Sequence, residues 1–220
     1  MSVRQALRSR ALRASTIVTT LVTATAVAVG LGQPAALAYP PEPPSATEAA
    51  EMLNGLTVAA EGSNDGYDRD KFPHWSTQEG TCNTREVVLK RDGTDVQTDE
   101  ECRSVSGSWY SVYDATWVAS ADDIQIDHIV ALSEAWHSGA SEWTDDRREE
   151  FANDLTHSQL IAVSGSSNQS KSDNDPAEWK PENQEVWCVY GREWIWVKSV
   201  YGLTVDEAEK AALEELLGTC

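Results

Sequence analysis

Apolar and polar positions change period several times along this chain, and each change marks an element. Ser45-Ala46-Thr47-Glu48 is a capping-box pattern, and the Ala- and Leu-containing stretch behind it predicts a helix to about Ala60. A polar, glycine-bearing loop runs from Glu61 to Gly66. Tyr67, Phe72 and Trp75 are too irregularly spaced for a regular element and read as an aromatic segment wrapped over a core. Thr84 to Arg91 predicts a short helix broken by Asp92-Gly93. From Glu101 to Ser120 the residues alternate and are rich in Val, Trp and Tyr, which predicts a hairpin or two short strands with Gly107 as a turn. Ile124 to His128 predicts a strand, Val130 to His137 a short helix and Thr144 to Leu155 a helix behind a capping threonine. Leu160 to Val163 predicts another strand, followed by a polar loop from Ser164 to Lys171. Asp175-Pro176 has a proline at the first helical position and predicts a further helix start. Val186, Trp187, Tyr190, Trp194, Val197 and Tyr201 recur at near-helical spacing, so Asn183 to Tyr201 predicts a helix ended by Gly202. A second capping box, Thr204 to Glu207, starts a last helix through about Leu217. The sum is an α+β fold, helices around a small antiparallel sheet, in one domain over 46–220.

The first 38 residues follow another pattern. Arg4, Arg8, Arg10 and Arg13 precede a mostly apolar or small run from Ile17 to Leu31, and Ala36-Leu37-Ala38 is a small-x-small cleavage site. These are the marks of an export signal, and the apolar run is too short and threonine-diluted for an anchor. A secreted, extracellular protein follows, and nothing predicts stable membrane association or a protein partner. Tyr39 to Ser45 is Pro-rich and predicts an extended, mobile leader. Export also gives meaning to Cys82, Cys102, Cys188 and Cys220. An even count in an exported chain reads as two disulfides with three possible connectivities. Proximity favours Cys82–Cys102 and Cys188–Cys220, and no pair has the C-x-x-C spacing of a zinc site.

The chemistry concentrates between Ile124 and Lys171. Asp127 offers a hard, anionic metal ligand at a strand end, and the adjacent His128 offers a neutral imidazole that can take a proton from water. Asn168 adds a carbonyl oxygen, and Lys171, one helical turn on, is placed to meet a phosphate oxygen. Asp127-His128, Asn153-Asp154-Leu155 and Asn168-Gln169-Ser170-Lys171 resemble the HNH endonuclease family with its ββα-metal core. Glu134-Ala135-Trp136, Ser138-Gly139-Ala140 and Asp175-Pro176-Ala177-Glu178-Trp179 extend the likeness to secreted actinobacterial HNH nuclease-like proteins. Those are similar to the nuclease domain of modification-dependent restriction systems. The resemblance implies a phosphodiester hydrolase using one divalent ion, Mg²⁺ or Mn²⁺. Asp127 and Asn168 would be its ligands, His128 the general base, and Asn153 a support that ties loop backbone to hold His128. Two departures stand out. The stretch from His128 to Asn153 is longer than in compact HNH cores, and the last ligand is Asn168 where many such sites use a histidine.

Charge narrows the means of binding. The chain carries a formal charge of −19, which repels polyanions at long range and argues against a broad basic face for nucleic acid. It leaves room for an enzyme that meets phosphate through a metal ion and a few local cations. Arg85, just after Cys82, is a candidate for such a cation, and Glu134 is placed to face the cleft from the helix after His128. The expected partner is a nucleic acid substrate, DNA before RNA. Two rivals have other chemistry: a secreted zinc hydrolase of cell-wall material, and a silent glycan-binding module. The second would use some of the nine tryptophans, with Trp187 and Trp194 on one helix face.

Overall fold

The computed structural model describes residues 40–220, so the export signal expected over 1–38 lies outside the described residues. The chain runs α1 (Ala46–Gly55), β1 (Thr77–Glu79), β2 (Cys82–Asn83), α2 (Thr84–Asp92), β3 (Gly93–Thr98), β4 (Ser104–Ser111), β5 (Thr116–Val118) and β6 (Ile124–His128). It continues through α3 (Leu132–His137), α4 (Asp145–Ala152), β7 (Leu160–Ser164), α5 (Gly165–Lys171), α6 (Trp187–Tyr201) and α7 (Glu207–Leu217). The strands form three small antiparallel sheets, β1-β2, β3-β4-β5 and β6-β7. The fold is α+β, as the periodicity predicts.

The β6–β7 pair is covered on both sides. Successive strand residues point to opposite faces. Ile124, Ile126, Leu160 and Ala162 join Val88, Leu89 of α2 and Trp109 of β4 in one apolar cluster. Ile161 and Val163 join the larger cluster built from α1, α3, α6 and α7, with Leu53, Leu132, Trp194 and Leu213 at its centre. This double burial is why Leu160 to Val163 reads as a continuous apolar run.

Polar side chains fix the helix ends. Ser45 and Glu48 close a capping box on α1, and Asn83 and Glu86 close another on α2. Gly202 ends α6 in the left-handed region at φ 66°, where a side chain would be strained. The two disulfides are Cys82–Cys102 and Cys188–Cys220, with Cα–Cα separations of 5.1 and 5.0 Å. The Pro-rich leader is extended from Pro40 and tied to the body. Ser158 Oγ donates to the Pro41 carbonyl, and the Arg192 guanidinium donates to Glu42 and to the carbonyls of Pro43 and Pro44.

Several boundaries differ from the expectation, each for a local reason. Helix α1 stops at Gly55, because from Leu56 the chain turns extended and Val58 bridges to Val205. Gly107 lies inside β4, not at a turn: a Cβ there would sit 3.0 Å from the Trp109 and Val96 side chains, so the glycine admits their close approach. The hairpin is a three-stranded meander because Asp92-Gly93 starts β3 directly. Helix α4 ends at Ala152, with Asn153 as its C-cap. Residues 165–171 form helix α5 in place of the expected loop, capped by Ser164 Oγ accepting from the Ser167 amide. Asp175 to Trp179 makes only a turn, and α7 is capped by Asp206 instead of Thr204.

Candidate active site

Strands β6 and β7 and helix α5 form one unit, with Asp127 paired to Ile161 and His128 to Leu160. Positions three apart share a helix face, so Asn168 and Lys171 both look onto β6. Two residues apart on a strand also share a face, so Gln125 and Asp127 receive them in step. Asn168 Nδ2 donates to Gln125 Oε1 at 2.8 Å, and Lys171 Nζ donates to Asp127 Oδ1 at 3.0 Å. Tyr113 Oη donates to the other Asp127 oxygen at 2.7 Å. Burial pushes the Asp127 carboxyl up, while Lys171 and the Tyr113 hydroxyl pull against that shift.

His128 is held from two sides. Its Nε2 lies 3.0 Å from the Ala152 carbonyl, and a carbonyl can only accept. Nε2 is therefore the protonated nitrogen, and Nδ1 keeps the lone pair. Trp75 stacks on the ring, with centroids 5.8 Å apart and planes 27° from parallel. Burial lowers the His128 pKa to about 3, so the ring is neutral throughout the physiological range. Trp75 itself sits at φ 63°, which a bulky residue adopts only when its surroundings hold it. Asn153 supplies that hold. Its Nδ2 donates to the Pro73 carbonyl at 2.7 Å and its Oδ1 accepts from the Ser76 amide at 2.9 Å, clamping both sides of Trp75. The same Oδ1 accepts from the Thr84 hydroxyl at 2.6 Å.

A cavity of about 320 Å³ opens over this unit and is lined by Asp127, His128 and Asn168 together with Tyr67, Arg69 and Asp173. Arg69 comes from a short 3-10 turn, Arg69–Lys71, capped by the Asp68 carboxylate. Its guanidinium makes no ion pair among the described residues. The Asp127 oxygens each accept one hydrogen bond and each retain a lone pair. The Asn168 amide, oriented by Gln125, has its carbonyl oxygen uncommitted. Two hard oxygen donors beside an open cavity suit a Mg²⁺-like ion, which keeps most of its shell for water and phosphate.

Other expected site residues lie elsewhere. Lys171 is fully buried and spends its ammonium on Asp127 and on the His128 carbonyl, also at 3.0 Å, so it braces the site from beneath. Arg85 donates to the Ala121 carbonyl at 3.0 Å and does not line the cavity. Glu134 is buried in an ion pair with Lys198 at 2.6 Å. Trp194 is wholly buried, and Trp187 donates its indole N–H to the Pro181 carbonyl, so this pair is core and not a glycan face. Arg69 escaped the sequence reading because nothing in Tyr67 to Trp75 has a period. Gln159 escaped it too: its side chain accepts from the Val130 amide and donates to the Val130 carbonyl, pinning the turn after His128. A glutamine directly before the apolar run Leu160 to Val163 was the available signal.

Away from the cavity, Glu61, Glu134 and His137, and likewise Glu61, Asp175 and Asp206, bring their ligand atoms within 4.8 Å of one another. These groupings are able to hold a cation. Burial and the neighbouring Glu134 raise the Glu61 carboxyl above its ordinary value. No helix of the described residues is long and apolar enough to cross a membrane.

Residues 83–216 match the family described as GmrSD restriction endonucleases, C-terminal domain. A protein of Arthroderma benhamiae described as an "uncharacterized secreted protein" is 58% identical over 191 residues, covering 86% of this chain and 93% of that protein. That relative is fungal, outside the actinobacterial group that the motifs resemble. No solved structure matches. The secreted relative and the two disulfides agree on a secreted, extracellular protein.

Proposed function

From the premise that this chain belongs to the family of the GmrSD restriction endonuclease C-terminal domain, we propose that it is a secreted HNH-type endonuclease. It hydrolyses phosphodiester bonds of nucleic acid, DNA before RNA. The observation that carries the reading is the β6–β7–α5 unit, which brings Asp127, His128 and Asn168 to one cavity with His128 neutral and its Nδ1 free.

Asp127 and Asn168 would hold one divalent ion, Mg²⁺ or Mn²⁺, through their carboxylate and carbonyl oxygens. When bound, such an ion neutralises charge on the phosphate and stabilises the departing 3′-oxygen. His128 Nδ1 accepts a proton from water as the water oxygen bonds to phosphorus opposite that oxygen, leaving a 5′-phosphate. An arriving phosphate anion raises the proton affinity of the buried ring, which offsets its low resting value. The Ala152 carbonyl and the Trp75 face keep the ring aimed through the transfer, and Asn153 keeps Trp75 in place. Lys171 keeps Asp127 ionised and fixed. Arg69, the unpaired cation of the cavity rim, meets the non-bridging phosphate oxygens.

The test is degradation of plasmid DNA and of RNA by the mature, oxidised protein with Mg²⁺, with Mn²⁺ and with EDTA, beside His128→Ala. Metal-dependent cleavage that drops about 10²- to 10⁴-fold in a folded variant is expected. Full activity in the variant removes His128 from the mechanism, and no cleavage with either metal overturns the nuclease reading.

A further inference from the structure

A second cavity, of about 750 Å³, lies beside the first and is lined by Asp114, Trp117, Asp123, Gln125, Ser164 and Gln169. Gln125 is the partition between the two. It lines the second cavity, while its Oε1 receives the Asn168 amide of the first. Gln125 precedes Asp127 by two residues on the same face of β6, roughly 6.6 Å along the strand. A group bound here is therefore within one nucleotide's reach of a phosphate at Asp127.

Three features describe what that group would be. Trp117 is 54% exposed, and Tyr110 backs it from the paired position on β4 at 5.3 Å. Such an indole, braced from behind, offers a flat face to another π-system. Asp114 Oδ2 accepts from the Ser164 hydroxyl at 2.6 Å; against burial, the Ser111 and Ser167 hydroxyls help hold its carboxyl below the ordinary value, and its buried Oδ1 has no hydrogen bond of good geometry. An orphaned buried acceptor is costly, and a ligand N–H would satisfy it. Lastly, Asp122 and Asp123 share the lining, so the cavity repels a phosphate while accepting donors. A flat aromatic ligand that carries N–H donors and hangs from a neighbouring phosphate is a nucleobase.

Resting on the nuclease reading, we propose that this cavity binds the base next to the scissile phosphate, stacked on Trp117, with its amino group donated to Asp114. The base must be free of its duplex partner, because in a duplex its faces are stacked and its Watson–Crick edge is occupied. The substrate class is accordingly single-stranded or locally opened nucleic acid. Adenine, cytosine and guanine, which carry an exocyclic amino group, are favoured over thymine or uracil.

The experiment measures cleavage of short single-stranded oligonucleotides, dC-rich against dT-rich, by wild type, Trp117→Ala, Trp117→Phe and Asp114→Asn. In parallel, anisotropy follows binding of the same labelled strands to His128→Ala with and without Trp117→Ala. Losing one base stack raises KM and Kd roughly 5- to 150-fold in Trp117→Ala. The effect on kcat is smaller, and Trp117→Phe restores most of the loss. Asp114→Asn narrows the dC-over-dT preference. Unchanged KM, Kd and preference in a protein that cleaves overturns the base pocket and leaves the nuclease standing. A folded wild type that cleaves none of the strands overturns the nuclease. The binding arm still judges the pocket in that case, and equal Kd with and without Trp117 refutes it.

Discussion

Lys171 separates two accounts of the site, and Lys171→Met decides between them. Its ammonium is fully buried, 3.0 Å from an equally buried Asp127 carboxylate. Removing one partner of a buried ion pair commonly costs about 3–5 kcal/mol, because the other charge is left without compensation. An independent bound gives a similar figure. The stranded Asp127 can escape by taking a proton, which at pH 7 costs about 1.4 kcal/mol for each of the roughly three units separating pH 7 from an ordinary aspartate pKa, or about 4 kcal/mol. At pH 5 the same escape costs about 1.5 kcal/mol. The variant should therefore lose about 4 kcal/mol at pH 7 and distinctly less at pH 5. In a chain of this size that corresponds to a drop in Tm of roughly 6–20 °C. Urea unfolding at both pH values reads the loss, and adding Asp127→Asn to Lys171→Met should recover most of it, since the stranded charge is then gone. A lysine that touched substrate would behave otherwise. Unchanged urea midpoints with a raised KM for nucleic acid would refute the bracing role.

Two more perturbations probe the same frame. His128 has a folded pKa of about 3 against 6.5 for the free side chain. The unfolded chain thus takes the proton first, and the stability at stake is complete above about pH 6.5 and is lost as pH falls towards 3. Buried Glu209, raised to about 7 by burial against the pull of Lys198, has the opposite slope between about 4.5 and 7. The clean readout is therefore wild type minus His128→Asn in urea: the difference should change by about 1.4 kcal/mol per pH unit between pH 6 and 4, and parallel curves would refute it. Asn153→Ala removes the clamp on Pro73, Ser76 and Thr84 and the bond to the Glu149 carbonyl. At about 0.5–1.5 kcal/mol per bond it should cost roughly 2–6 kcal/mol and expose Trp75 to quenching by acrylamide; a stable variant with unchanged fluorescence would argue against the clamp.

The sequence made the site's bonded neighbours legible and left its distant ones hidden. Asp127 and His128 stand out because a charged pair interrupts an alternating apolar strand, and Asn168 with Lys171 stand out through their three-residue spacing. That spacing was legible as a shared helical face. Which of the two would face the cavity was not, because the depth of α5 against β6 is set by packing from Trp194 and Tyr113 on other elements. Arg85 and Arg69 illustrate the same limit. Both follow turns, both are unpartnered in the sequence, and only the path of residues 66–76 over α3 and α4 puts Arg69 at the cavity while α2 turns Arg85 towards Ala121. The role of Asn153 was half legible: a backbone-tying asparagine was expected, but the backbone it ties belongs to Trp75, 77 positions before in the Ser76 bond. Gln125, ordinary in the sequence as a polar strand residue, became informative only as the wall between two cavities.

If the chain is the nuclease proposed above, an acidic protein meeting a polyanion must confine its attraction to short range, and the buried groups are arranged to allow it. At about 0.1 M salt, charges further apart than roughly 10 Å are largely screened, so the formal charge of −19 weighs less at contact than at approach. Within contact distance the fixed charges nearly cancel. Asp127 is matched by Lys171 and His128 is neutral, which leaves Arg69 and Asp173 as the remaining charged residues of the cavity lining. A phosphate meeting that surface would be held by geometry and by the cation proposed for Asp127 and Asn168, not by a field. The neighbouring cavity then works with the acidity instead of against it, since carboxylates that repel the backbone accept the donor edge of a base. In the proposed base pocket, repulsion for the phosphate and reception for the base, placed two strand residues apart, would orient a single strand across β6 in one sense only.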